Sequence, residues 1–579
     1  MDETRDAIAF VPLTTLPASA ESGPVARVQQ VVPVPGSDGL LAALDTRGVV
    51  WIVERDGTVR KTPLIDLRAP GDLSGFVEPG PESGLRSIAF HPDFATPGAA
   101  GEGRLYLAYS ASESSALAGV PVFEVPGEAT RFQDVVAEFV VPEPEDLVVE
   151  GGGRELLRIS QPFNNHNIGE LVFNPNASPG DPDRGLLFIG VGDGGGGNDP
   201  LDAGRDPSLI YGKVLRIDPL GGIPYGVPSG NPFVDIDGVL PELWAIGFRN
   251  PQQLSFDGDR LFTGDIGQST VEEINLVVPG GDHGWDDREG TFANTDGAIG
   301  PLPPDDAALG LQYPVIEYRH GEIDAGNAAV GGGYLYRGTA IPALDGQYVF
   351  TNFPTGDLFV APLDGLDAAL ADGRIAPEET LSPQVLTVVN AAGETVRVAD
   401  FAGNASGRVD LRLGRDADGE LLAFGKQTGE IWRLVAVGER GLGLSEEEAR
   451  AVALLYETAL DRDGVIDLPG LNLWIDEAEQ GVSLPDIAGA FLVSDEFLAS
   501  FGPIDGLGNQ ALVELFYENA LGREGDLGGV AFWTGELARP DFDRDDLLLA
   551  FAISNERADQ LAFVETLVET GPSFWSFTG

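Results

Sequence analysis

The chain has 579 residues, 43% of them hydrophobic, which is too many for one ordinary core, so two or more packed domains are expected. Thirty-five basic side chains against 92 acidic ones give a net charge of −57, a field that repels nucleic acid and anionic lipid and excludes both as partners. The absence of cysteine excludes disulfides, thiolate metal sites and cysteine nucleophiles, and any imidazole chemistry has only His91, His166, His283 and His320 to draw on.

The first residues, Met1-Asp2-Glu3-Thr4, lack the basic and apolar regions of a secretory signal, and no run of about 18 apolar residues occurs, so no membrane span is expected. Cytoplasmic residence is the simple inference. The glycine-rich, acidic, lysine-poor composition instead resembles that of bacterial proteins exported by type I-like machinery without a cleaved N-terminal signal, and an extracellular location is expected on that ground.

Residues 1–24 read as an N-terminal extension. From 25 to 436 short β-rich runs alternate with Gly, Pro, Asp and Asn clusters; Arg104–Tyr109, Gly185–Gly190, Arg260–Thr263, Gly346–Phe350 and Glu420–Phe424 are examples. No long amphipathic helix falls between them, which disfavours parallel βαβ units and leaves a sandwich, barrel or propeller. About 410 residues exceed one sandwich, whereas four-stranded blades repeated around an axis accommodate them.

Within this region Glu82–Phe94 reads as an apolar strand ended by a turn that His91 and Asp93 cap. Asn165-His166-Asn167-Ile168-Gly169 places a histidine just before a strand, at a blade edge of the kind that binds ligands; a turn histidine without chemistry is the other reading. Gly192-Asp193-Gly194 reads as a blade turn. Pro241–Phe256 contains Arg249-Asn250-Pro251-Gln252, where an arginine taken alone pairs with one of many carboxylates. Gly264–Leu276 and Gly280–Trp285 follow as a glycine-punctuated loop, strand and turn.

Residues 437–443 read as a linker and 444–565 as helical, opening on a Ser445 cap with Glu446, Glu447 and Glu448 in the first turn. An internal repeat is visible. Leu455–Arg462 returns as Phe516–Arg523, Trp474 as Trp533, Phe491 as Phe551, and Ser494-Asp495-Glu496 as Ser554-Asn555-Glu556, with offsets of 61 (517 − 456) and 60 (551 − 491) residues. Its aromatic positions read as core between paired helices. Asp461-Arg462-Asp463-Gly464 with Asp467 faintly resembles a calcium loop but lacks the glutamate and spacing of an EF-hand. Residues 566–579 read as a tail.

Taken in order from about residue 30 to 435, these segments resemble the soluble glucose/sorbosone dehydrogenases, which depend on pyrroloquinoline quinone (PQQ). Glu82–Phe94 is similar to a signature stretch of that family, His166-x-x-Gly169-x-Leu171 to its histidine motif, and Arg249-Asn250-Pro251-Gln252 to its Arg-Asn-Pro-Gln core. Gly264–Leu276 with Gly280–Trp285 is similar to its cation-binding loop, and Tyr313–Tyr318, Gly332–Gly338 and Gly346–Phe350 to its sorbosone-dehydrogenase branch. The helical repeat resembles the module known as DUF4214.

The resemblance implies an all-β six-bladed propeller followed by a smaller all-α domain. It implies oxidation of an aldose or related sugar or polyol by hydride transfer to PQQ, with an external electron acceptor. His166 would be the general base, for which an imidazole is well matched. Arg249 would stabilise the oxyanion of the reduced quinone, with Asn250 and Glu82 beside the cofactor. The backbone carbonyls of Gly267 and Gln268 would ligate a calcium ion that bridges to the quinone.

Departures from the family pattern bear on the cofactor. Glu170 stands where the family has Arg or Gln. The family lysine that holds the quinone carboxylates falls within Asn352–Gly356, with none of Lys61, Lys213 or Lys426 nearby in sequence. The family arginine pair falls at Val409 and Leu411; Arg408 and Arg412 are out of register, so a strand slip would be needed to aim them inward. A tricarboxylate deprived of three cations binds far more weakly. The alternative is therefore a non-catalytic propeller that binds carbohydrate or a protein partner. A hydrolase, needing several inward carboxylates or histidines around an exposed calcium, is a third reading. A cationic pocket facing His166 is expected of the dehydrogenase, an acidic one of the binder.

Overall fold

A computed structural model describes all residues except 1–6, 21–22, 69–74, 78–79, 81, 150, 323–327, 364, 371–372, 391–393, 438–445, 461–467, 480–481, 540–541, 555, 558–563, 565, 572–573 and 578–579. Two compact units emerge: Leu13–Val388 with Val396–Ala436, and Val437–Gly579 with Met1–Pro12 and Val389–Thr395.

The first unit is a six-bladed propeller. Its innermost strands, in chain order, are β1 (Val28–Pro33), β2 (Leu85–Phe90), β3 (Ile168–Phe173), β4 (Pro251–Asp257), β5 (Val330–Leu335) and β6 (Leu411–Arg415). Each opens a separate sheet that continues outward through antiparallel neighbours. Each inner strand touches the next, and β6 touches β1, so the ring closes. Apolar residues on both faces of each strand fill the wedges between blades. Val31, Leu41 and Ala43 pack against Leu422, Phe424 and Ile431 at the closing wedge. Strands such as Leu41–Asp45 and Leu187–Val191 are accordingly buried at every position, on both faces. The stretch read as an N-terminal extension contains a strand, Ile8–Thr15.

The up-and-down order of strands decides where function gathers. Because the second strand of a blade runs antiparallel to the first, the start of every inner strand and the end of every second strand meet at one face, here the upper face. Ile168 pairs with Val191, Pro251 with Asp265, Val330 with Asn352 and Leu411 with Gly425. His166, Arg249, Asn250 and Glu82 all precede inner strands, and Asp193, Gly267 and Gln268 all follow second strands. An insertion between the last two strands of the fourth blade forms a small three-stranded sheet, Arg288–Glu289, Phe292–Thr295 and Ala298–Gly300.

The propeller axis is filled by polar side chains, with a void of about 10 Å³ among Gln30, Arg86, Glu170, Gln252, Gln253 and Arg412. That is room for about one water. The axis is therefore a plugged core and no ligand channel.

The second unit is helical. Helices Glu446–Leu460, Leu468–Glu479, Leu484–Leu492 and Asp495–Phe501 are followed by Asn509–Leu521, Leu527–Glu536 and Arg544–Ala552. The sequence repeat is a repeat of packing. Phe491 takes the rings of Tyr456 and Trp474 at 5.7 and 4.7 Å, and Phe551 takes those of Tyr517 and Trp533 at 5.0 and 5.6 Å. Ser494 caps its helix by accepting the amide of Phe497 at 3.2 Å. The stretch read as a tail contains a hairpin, Leu567–Gly571 with Phe574–Phe577, whose Trp575 is buried and donates its amide to Asn472 at 2.7 Å. The Ser445 cap and the faint calcium loop at Asp461–Asp467 lie outside the described residues.

Candidate active site

The four histidines separate cleanly. His91 leaves the far end of β2, accepts the amide of Asp93 at Nδ1 (3.0 Å) and packs edge-on against Phe173, so it caps a turn on the opposite face. His283 is buried against Phe248 with ring centroids 4.2 Å apart, and burial pushes its pKa down to about 3. His320 pairs with Glu272 at 2.8 Å. His166 alone stands on the upper face with a reactive geometry.

The backbone at His166 is left-handed, φ +56°, a conformation uncommon outside glycine and one that clusters at functional sites. Two features hold it. Its amide donates to Glu82 Oε2 at 2.8 Å, and Gly192 lies so close that a Cβ there would come within 2.4 Å of the His166 carbonyl oxygen. The ring is anchored at Nδ1, 2.6 Å from Asp193 Oδ1. Asp193 is buried and in turn receives the Trp285 indole N–H at 2.9 Å and the Gly195 amide at 2.9 Å. Nε2 of His166 makes no hydrogen bond among the described residues, so the nitrogen away from Asp193 is left for a substrate. Glu82, expected beside the cofactor, thus also supports the histidine backbone.

Arg249 and Asn250 are set by Asp265, at the end of the neighbouring second strand, whose two carboxylate oxygens take the amides of Arg249 (2.9 Å) and Asn250 (2.5 Å). Burial raises the Asp265 pKa and the charge of Asp193 pushes in the same direction, while burial and the charge of Asp265 raise the nearby Glu273 well above its ordinary value. The Arg249 guanidinium is not paired with a carboxylate among the described residues. Its Nε donates to Gln268 Oε1 (3.1 Å), its Nη1 to the Ile266 carbonyl (2.9 Å), and it lies over the Trp285 ring at 5.5 Å. Asn250 accepts Gln252 Nε2 at Oδ1 (2.8 Å), and its own amide hydrogens make no hydrogen bond among the described residues. The backbone carbonyl of Arg249 accepts the Asp193 amide at 2.8 Å, joining the arginine turn to the histidine's partner.

The Gly267–Val271 loop is tied from behind. One oxygen of buried Glu289, carried by the inserted sheet, accepts the amides of Gln268, Ser269, Thr270 and Val271 at 2.9–3.1 Å. Glu272 accepts the Gly267 amide at 3.2 Å. Only glycine fits at 267, where a Cβ would meet the Val271 carbonyl at 1.7 Å. With the amides turned toward Glu289, no hydrogen bond among the described residues ends on the carbonyls of Gly267 or Gln268. Two free carbonyl oxygens are hard donors of the kind a calcium ion takes. No group of three or more His, Asp or Glu side chains among the described residues could hold a metal.

The arrangement of cations departs from what the sequence register implied. Val409 and Leu411 are buried and apolar, but Arg412 needs no strand slip to reach the axis: it is buried, its Nη2 donates to Gln252 Oε1 (3.3 Å), and β6 pairs with its neighbour without a register shift. The reason is geometric. Near a propeller axis consecutive residues such as Gln29–Gln30 and Gln252–Gln253 all line the same narrow space, so a one-residue offset does not turn a long side chain away. Arg86 donates to the same Gln252 oxygen at 2.7 Å. Lys426, remote in sequence from Asn352–Gly356, lies 5.5 Å from the centre of the Phe353 ring, and Arg412 lies 4.8 Å from it. Burial and the neighbouring Arg86 push the Arg412 pKa down to about 10, and burial with Arg86 and Arg412 pushes that of Lys426 well below its ordinary value. Arg408, by contrast, is half exposed and paired with Asp410 at 2.7 Å.

The upper face of the six-bladed propeller thus joins an acid-anchored histidine, an Arg-Asn turn, a loop whose Gly267 and Gln268 carbonyls accept no hydrogen bond among the described residues, and a buried cation cluster. Residues 39–388 match the sequence profile of the glucose/sorbosone dehydrogenases, and the chain belongs to that family; residues 488–561 match the domain of unknown function DUF4214. The HIPL1 protein of Arabidopsis thaliana is 28% identical over 320 residues, 48% of this chain and 44% of the relative. The Hedgehog-interacting protein of Homo sapiens is 25% identical over 313 residues, 54% of this chain and 39% of the relative. The chain thus matches less than half the length of either relative. A solved glucose dehydrogenase shares the fold, with a TM-score of 0.51 and 19% identity over 73% of this chain and 99% of that one.

Proposed function

We propose that the protein is a PQQ-dependent dehydrogenase of an aldose or related sugar or polyol. The observation that carries this reading is the His166–Asp193 pair, with Nε2 of the histidine open, on the same face as Arg249, Asn250 and the free carbonyls of Gly267 and Gln268. A family member that had lost chemistry would have little reason to keep a buried carboxylate oriented on an imidazole.

Bound PQQ would supply a hydride acceptor and calcium a Lewis acid. The chain's own residues do the rest. His166 Nε2 takes the proton of the substrate hydroxyl, and Asp193 fixes the proton on Nδ1 and stabilises the charged ring that results. Arg249 Nη2 and the Asn250 side-chain amide are the uncommitted donors that would face the quinone oxygens. Gly267 and Gln268 would supply carbonyl oxygens to calcium.

No helix among the described residues is long and apolar enough to cross a membrane. The acidic, cysteine-free composition supports an exported protein.

The second reading, a non-catalytic propeller with a protein or carbohydrate partner, is supported by the similarity to the Hedgehog-interacting protein. Calorimetric titration with PQQ, in calcium and then in chelator, followed by a sugar screen with a dye acceptor, separates the two. Calcium-dependent binding with turnover supports the dehydrogenase; no binding at high micromolar quinone overturns it.

A further inference from the structure

We infer that Arg86, Arg412 and Lys426, with the Phe353 ring, form a carboxylate-binding cradle that replaces the cations lost from the family positions, and that it takes the acidic edge of a planar aromatic polyanion.

The three cations come from different places in the chain: Arg86 from the second residue of β2, Arg412 from the second residue of β6, and Lys426 from just beyond the second strand of the last blade. The meander delivers all three to the upper face. Each is at least nine-tenths buried. Buried cations are normally paired, because an unpaired charge in the interior costs several kcal/mol. Here they are not. The Lys426 ammonium makes no hydrogen bond or ion pair among the described residues, and Arg412 Nε is buried without a hydrogen-bond partner. Asp410, whose charge acts on Lys426, is paired with Arg408 at 2.7 Å and accepts Gln427 at 2.6 Å, while its Oδ1 accepts no hydrogen bond among the described residues.

Such a concentration of like charge is consistent with a stable fold when an anion completes it. Phe353 supplies an apolar plane beside the charges, suited to an aromatic ligand. The cradle is also wired to the reactive end of the site. Gln252 accepts from Arg86 and Arg412 and donates to Asn250, beside Arg249. An anion seated on the cations therefore presents its other end toward Asn250 and Arg249. Below, Gln30, Glu170 and Gln253 close the axis, so the anion must enter from the upper face.

The identity of the ligand as PQQ rests on the function proposed above; the cradle does not. The two are separable by equilibrium titration of the calcium-loaded, full-length protein with PQQ and, in parallel, with benzene-1,2,4-tricarboxylate, read by calorimetry and by intrinsic fluorescence. Lys426→Met is expected to weaken PQQ binding about tenfold or more and Lys426→Arg by no more than a few-fold, with binding falling as ionic strength rises. The ligand-free Lys426→Met protein should melt at the same temperature as the parent or higher, since a buried unpaired charge is removed, whereas a residue with only a structural role would lose stability. Arg412→Met should weaken binding in the same way. If PQQ binds and neither Lys426→Met nor Arg412→Met changes its affinity, the cradle is overturned and the dehydrogenase reading survives. If PQQ does not bind but the tricarboxylate does, and loses affinity in Lys426→Met, the cradle stands and the dehydrogenase reading falls. If neither anion binds, both are overturned.

Discussion

Nδ1 of His166 lies 2.6 Å from Oδ1 of Asp193, whose other oxygen takes the Trp285 indole at 2.9 Å. The carboxylate therefore sets both the tautomer of the ring and its direction, and leaves Nε2 as the basic nitrogen. His166→Ala should lower kcat for sugar oxidation by about 10²- to 10⁴-fold, the usual weight of a general base, with PQQ affinity little changed. Asp193→Asn should preserve the fold and lower kcat by a smaller factor, because an amide can donate to Nδ1 and favour the wrong tautomer. Steady-state kinetics with a dye acceptor, alongside PQQ titration, checks both. A variant at His166 that retains full turnover would remove it from the mechanism.

Glu289 is the second support of the site. Its single oxygen collects four successive amides from the loop that bears Gly267 and Gln268. Glu289→Ala strands those donors in a buried setting and should cost about 2–4 kcal/mol of stability, in line with charge-assisted bonds of about 1.5–3 kcal/mol each that are partly replaced by water. Calcium is expected to raise the melting temperature of the parent protein, and the same variant should lose that rise. Thermal melts with and without calcium read both effects. An unchanged calcium response would place the ion elsewhere.

Much of this was legible in the chain, and the limits have physical causes. Periodic short strands with Gly and Asp turns gave the propeller, and the motifs shared with the family singled out His166, Arg249 and Asn250, each of which precedes an inner strand, so that its neighbours in sequence are its neighbours in space. Asp193 was read as part of a Gly-Asp-Gly turn. The turn is real, but its acid also crosses to another strand end, a pairing 27 residues apart that no local pattern encodes. Had turn residues at the ends of second strands been weighed as upper-face residues, Asp193 would have stood out. Lys426 and Arg86 were hidden for a similar reason. The family pattern fixes cations by position along the chain, whereas the propeller requires only that they arrive at the same face. Arg412 was set aside on strand register, a criterion that suits flat sheets and fails beside a narrow axis.

The helical unit offers a test of its internal repeat. Phe491 and Phe551 occupy equivalent places, each buried against a tyrosine and a tryptophan of its own half. Phe491→Ala and Phe551→Ala should each destabilise the helical unit by about 3–5 kcal/mol, and by similar amounts, as expected for equivalent large-to-small core changes. Chemical denaturation followed by far-ultraviolet circular dichroism measures this. A large inequality between the two would mean that only one half carries the packing.

Buried carboxyls make the stability of the ligand-free protein fall with pH. Burial raises Glu170 to about 7, Asp134 and Asp199 to about 6, and lifts the Asp265–Glu273 pair as well. Each is raised above its unfolded value near 4, so the native state holds protons that the unfolded chain has released. Their stabilisation is complete below about pH 4 and is lost as pH climbs through 6 and 7. His283, pushed down to about 3, and His91, lowered by burial, act in the opposite sense between their native and unfolded values, but two imidazoles oppose five carboxyls. Lys213, lowered to about 7 by burial, adds stability only as pH rises above that point, which levels off the fall. The urea midpoint should therefore drop between pH 5 and 7.5. Glu170→Gln should flatten that slope by up to about 3 kcal/mol over the interval, whatever it does to absolute stability, since it removes the group's titration. A slope unchanged by Glu170→Gln would mean that Glu170 is ionised throughout, held so by Arg412.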